Sequence, residues 1–110
     1  MPVIDQAIFD ELKQMSGEEF IGELIDAFLD DAPHMLESMR TALETRDVES
    51  FRRNAHSMKS NANTFGATKL SALAQGLEFM ARENNLDIGN RLEVLIEAYG
   101  NVADELKALK

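Results

Sequence analysis

No cysteine occurs in these 110 residues, which excludes both a disulfide framework and a thiolate zinc site and is compatible with a reducing compartment. No stretch approaches the roughly 18 uninterrupted apolar residues that a membrane-spanning helix requires, and no basic leader followed by an apolar run opens the chain. The expectation is therefore a cytoplasmic protein without membrane insertion. Only two prolines and six glycines interrupt the sequence, and neither a low-complexity tract nor an internal repeat is evident. Acid is missing from one long segment: between Phe51 and Leu77 there is no Asp or Glu, while Arg52, Arg53, Lys59 and Lys69 supply four positive charges in a chain whose net charge is −9. A charge run is most often just a solvated face. This one is about the size of an acidic pocket on a partner protein and too small to grip a duplex, so no nucleic-acid partner is expected.

What is present reads as helix throughout, at a length suited to one modest core. Asp5 can cap a short first helix running through Phe9 and Leu12. Ser16-Gly17-Glu18-Glu19 has the S-x-x-E pattern of a capping box and precedes Phe20, Ile21, Leu24, Ile25, Phe28 and Leu29. Pro33 suits a first helical turn, so a new helix is expected there, carrying Met35, Leu36, Met39, Ala42 and Leu43; a kinked continuous helix is the alternative. Asp47 caps the following helix and Gly66 lets it exit through a tight turn. Leu70, Leu73, Ala74 and Leu77 form the next stripe, Asn84 to Asp87 a polar loop, and Leu92 to Leu109 a last long helix. Gly100 lies inside that helix, where it could allow close packing.

The expected helices cover 5–15, 17–31, 33–46, 48–64, 67–84 and 88–109. Short connections make neighbours antiparallel. The fold class is all-α, an up-and-down antiparallel four-helix bundle with a short additional N-terminal helix. The phenylalanines at 20, 28 and 65 and the methionines at 15, 35, 39, 58 and 80 read as core filler. Phe9, Leu12 and Met15 either close the end of the bundle or lie partly exposed for docking.

One histidine stands apart. Phe51, Ala55, Met58, Ala62 and Phe65 recur with the spacing of an apolar helical stripe, and His56 falls roughly 130° from its middle, toward water. Its neighbours at i−4, i+3, i+4 and i+7 are Arg52, Lys59, Ser60 and Asn63, polar or cationic and without a carboxylate. An imidazole so placed is suited to holding an anion. His34, beside Pro33 in an acidic segment, reads as an ordinary surface histidine.

The run Ala55-His56-Ser57-Met58-Lys59-Ser60 through Phe65-Gly66-Ala67 resembles the signature of the histidine-containing phosphotransfer (HPt) family, and Glu19 to Pro33 and Leu77-Glu78 are similar to that family's second and fourth helices. The resemblance spans nearly all of residues 1–110, read as a single HPt-like domain. It implies a phosphorelay carrier, not an enzyme in its own right: His56 would accept a phosphoryl group from a receiver-domain aspartate and pass it to another receiver. Lys59 would balance the phosphoryl oxygens. Arg52 and Arg53 would share that task or steer docking, with Ser60 and Asn63 beside the ring. Gln75 or Glu78, on the next helix, would hydrogen-bond the other ring nitrogen. The family usually has glycine where this chain has Ser60.

The partners implied are receiver domains of response regulators or hybrid sensor histidine kinases. Any Mg²⁺ would belong to the partner, with no metal or cofactor in this chain, and a monomer is expected. Neither histidine has a glutamate three residues before it, as a di-iron bundle needs; there is no H-E-x-x-H, and no glycine loop to cradle ATP. ATP-dependent kinase activity is not expected. The alternative is a non-catalytic helical module, a degenerate HPt that binds receivers without being phosphorylated.

Overall fold

A computed structural model describes residues 3–110, in which five helices run α1 Gln6–Ser16, α2 Glu18–Thr45, α3 Val48–Phe65, α4 Thr68–Arg82 and α5 Arg91–Leu109. The described residues form no strand. The long helices α2 to α5 make the bundle, and α1 packs on α2 and α3. At 1.5 Å per residue the 28-residue α2 is roughly 42 Å long, matching the 41 Å long axis of the molecule.

The break expected at Pro33 is absent; α2 is one helix from Glu18 to Thr45. An interior proline removes one backbone hydrogen bond and costs about 3 kcal/mol. Pro33, however, is exposed, so the carbonyl it leaves unpaired can meet water. Phe28, Ala32, Leu36, Met39 and Ala42 are buried on both sides of it in unbroken helical register. Burying a large apolar side chain stabilises by about 1.5–3 kcal/mol, so the stripe outweighs the proline.

The capping box also fails to form. Ser16 is the last residue of α1, where its hydroxyl donates to the Leu12 carbonyl at 2.7 Å. Gly17, at φ 88°, turns the chain into α2 in a single step. Asp5 and Asp47 do cap their helices: Asp5 accepts from the Ala7 and Ile8 amides and Asp47 from the Ser50 amide. The last helix starts at Arg91 instead of 88, and the loop before it buries Leu86 and Ile88.

Phe28 ties three helices together. Its ring lies 5.3 Å from Phe65 on α3 and 5.7 Å, edge to face, from Tyr99 on α5. Met39 and Met58 are fully buried and Met35 and Met80 partly so. Two residues read as core filler are outside: Phe20 is 51 % and Met15 81 % exposed. Helical spacing could not separate Phe20 from Ile21, its buried neighbour at the edge of the same stripe. Gly100 faces open space and mediates no close packing.

Gly66 is held twice over. It ends α3 at φ 80°, and its carbonyl accepts from the Asp5 amide at 2.8 Å, docking the start of α1. A Cβ there would stand 2.9 Å from the Asp5 carbonyl oxygen and 3.0 Å from Ile8 Cβ. Gly66→Ala combines a left-handed backbone penalty with a clash against main chain, so it is expected to cost roughly 2–3 kcal/mol. Chemical denaturation checks this, and a loss under about 0.5 kcal/mol would contradict it.

Candidate functional site

The α3 stripe packs as its spacing requires, with Phe51, Ala55, Met58, Ala62 and Phe65 all buried. One residue beyond Ala55, the His56 side chain is 55 % exposed. It is not alone there. From α4 a buried carboxylate, Glu78, reaches across and stands 2.8 Å from His56 Nδ1 through Oε2. Its Oε1 lies 2.7 Å from Lys59 Nζ, and Oε2 is also 3.3 Å from an Arg82 guanidinium nitrogen.

The turn between the helices sets this pairing. Gly66 and Ala67 reverse the chain so tightly that residues equidistant from Ala67 face each other. Asn63 and Ser71, each four residues from it, are joined by a Ser71 hydroxyl donating to Asn63 Oδ1 at 2.6 Å. His56 and Glu78, each eleven away, are the next such bond up the hairpin. Ser71 and Glu78 are the buried polar residues of α4, and both are satisfied by α3.

The Glu78 side chain is only 3 % exposed. Burial is the largest single influence and raises its pKa, yet the hydrogen bonds and charges of Lys59 and His56 together reverse that and hold the carboxyl below the ordinary carboxylate range. Glu78 is therefore ionised at neutral pH and can only accept. In the neutral imidazole the bond from His56 places the proton on Nδ1 and leaves the Nε2 lone pair free.

The absence of a carboxylate around His56 holds along α3 only. A charged group on a neighbouring helix cannot be read from i±4 spacing, and α4 supplies one. Arg52 is paired with Glu49, which precedes the acid-free segment by two residues; Nε lies 3.2 Å from Oε2. The cationic island is thus partly neutralised by acids from just outside it. Lys59 is 24 % exposed and bound to Glu78, whereas Arg53, Ser60 and Asn63 are exposed beside the ring's helix.

Of the two α4 candidates, Gln75 is exposed and Glu78 holds the ring nitrogen. Arg82 was not anticipated, although its position one turn after Glu78 is the signal that could have found it. His34 lies apart, on a shallow polar groove with Glu37, Thr41 and Asp47. Among the described residues no three His, Asp or Glu side chains are grouped to hold a metal, and no helix is long and apolar enough to cross a membrane.

A search of curated proteins finds no match. Among solved structures, the histidine-containing phosphotransfer protein B (HptB) of Pseudomonas aeruginosa PAO1 superposes with a TM-score of 0.87 at 25% sequence identity, over 97% of this chain and 93% of that one. The family model of the Hpt domain matches residues 23–110, which include every helix of the bundle but the first five residues of α2 and carry both His56 and Glu78. A buried carboxylate on one ring nitrogen, an open second nitrogen and this match agree: the chain belongs to the Hpt domain family.

Proposed function

We propose that His56 carries a phosphoryl group between receiver domains. The observation that supports this most directly is the Nδ1 bond to an ionised, buried Glu78, which makes Nε2 the nucleophilic atom and aims it outward. In the forward step the Nε2 lone pair attacks phosphorus of a receiver's aspartyl phosphate. The Nε2–P bond forms as the P–O bond breaks, and the aspartate leaves as a carboxylate. The ring becomes cationic, with its Nδ1 proton held against Glu78 as charge develops. That is the electrostatic help phosphoryl transfer asks of a protein, beyond positioning.

Lys59, one turn from His56 on α3, is a flexible point charge whose ammonium can turn from Glu78 to the phosphoryl oxygens. Arg52, Arg53 and Asn63 border the approach to the ring. The reverse reaction hands the group to a second receiver. Such receivers belong to response regulators or hybrid sensor kinases, they bring the Mg²⁺, and the carrier works as a cytoplasmic monomer without using ATP.

Incubation with a phosphorylated receiver domain and Mg²⁺ tests this reading. The expected product is an acid-labile, base-stable label on this chain, followed by loss of that label to a second, unphosphorylated receiver. No label, or one stable in acid, would leave a receiver-binding module that is not phosphorylated at histidine.

Ser60, one turn after His56, borders the same approach. Replacement by glycine opens that surface and is expected to leave the transfer rate unchanged or raised. A severalfold fall in rate would instead make the hydroxyl a participant.

A further inference from the structure

Glu78 has two oxygens and three claimants. Oε1 serves Lys59 alone, while Oε2 is divided between His56 Nδ1 at 2.8 Å and Arg82 at 3.3 Å. The claimants differ in access to water: the Lys59 side chain is 24 % exposed and that of Arg82 61 %. In phosphotransfer as read above, the Lys59 ammonium turns from Glu78 to the phosphoryl group. That departure strips a nearly inaccessible carboxylate of its closest cation: the imidazole stays on Oε2, but Oε1 is left without a partner, which is unfavourable for a buried carboxylate oxygen.

Arg82 is the group positioned to prevent this. It lies one turn from Glu78 on α4, is already on the carboxylate, and forms no ion pair with any other acid among the described residues. Its planar fork can engage both carboxylate oxygens. A guanidinium also stays protonated throughout, so the exchange needs no proton. We propose that Arg82 is a positioning residue that takes over the charge of Glu78 when Lys59 turns to the phosphoryl group. This rests on the phosphotransfer reading. The exchange swaps one ion pair for another: Lys59 leaves Glu78 Oε1, Arg82 closes on it, and no covalent bond other than those of the transfer changes. Without Arg82, Lys59 is retained on Glu78 and reaches the phosphoryl group less often.

A small donor removes docking from the test. Phosphoramidate transfers its phosphoryl group to histidine and releases ammonia, so the rate of phosphohistidine formation on the full chain can be followed by ³¹P NMR without a partner protein. Arg82→Ala is expected to slow it about tenfold, and Arg82→Lys, which keeps the charge without the fork, to restore part of the rate. In a Glu78→Gln background, where a neutral amide no longer holds Lys59, adding Arg82→Ala is expected to change nothing further. A wild-type rate for Arg82→Ala overturns the inference. So does an equal loss in the Glu78→Gln background, which would mean that the guanidinium acts on the phosphoryl group itself. In both cases wild-type labelling leaves the phosphotransfer reading standing, whereas a wild-type chain that takes no phosphoryl group overturns both.

Discussion

His56→Ala is expected to take up no acid-labile label from a phosphorylated receiver, while His34→Ala labels like the unaltered chain. The two histidines differ in what surrounds them. His56 has its Nδ1 bound to a buried carboxylate and Lys59 beside it, whereas His34 lies exposed on α2 with neither arrangement. Deletion of the imidazole costs little structure, since the ring is more than half exposed and Glu78 keeps Lys59 and Arg82 as partners. Stability should therefore change by less than about 1 kcal/mol. Labelling and a thermal melt on the same sample separate lost chemistry from lost fold. Persistent label in folded His56→Ala would remove His56 from the reaction.

Glu78→Ala is expected to lower the transfer rate about 10–100-fold. The alanine can accept no hydrogen bond, so the imidazole loses its fixed tautomer and orientation. Glu78→Gln retains an acceptor for the Nδ1 proton and gives up only the charge, so its rate should stay within about tenfold of the unaltered chain. Equal rates for both variants and the unaltered chain would show that the ring needs no support from α4.

The same carboxylate links stability to pH. Its folded pKa lies below the unfolded value near 4.5, so it contributes stability that is fully present above that value and is lost as pH falls through the folded pKa. Glu78→Gln is accordingly expected to be less stable than the unaltered chain by about 1–2 kcal/mol at neutral pH. That gap should close in acid below the folded pKa. A gap independent of pH across this range would mean that the ionised carboxylate is not what stabilises the pair.

Most of the bundle was legible because apolar spacing is a local property. Phe51 to Phe65 and Leu70 to Leu77 announce buried faces, and Asp5, Asp47 and Gly66 announce their ends. The errors share a cause. Pro33 and the Ser16 box are strong local signals, and both were outvoted by packing. The stripe through Ala32 and Leu36 carries α2 across the proline, and α1 extends through Ser16 so that Gly17 alone makes the turn. Phe20 and Met15 belong to a different case, in which residue type favours burial but the bundle offers no neighbour at that position.

By itself the sequence determined that these residues form helices, that His56 faces outward, and that Lys59 lies one turn from it, because all three follow from 3.6 residues per turn along one element. The tertiary structure decided which atom of the ring is free. That depends on Glu78, 22 residues away, being brought to 2.8 Å by a hairpin whose register is set at Gly66 and Ala67. It also depends on burial making that carboxylate a partner for Lys59 and Arg82 at once. Neither register between helices nor desolvation exists until the helices pack.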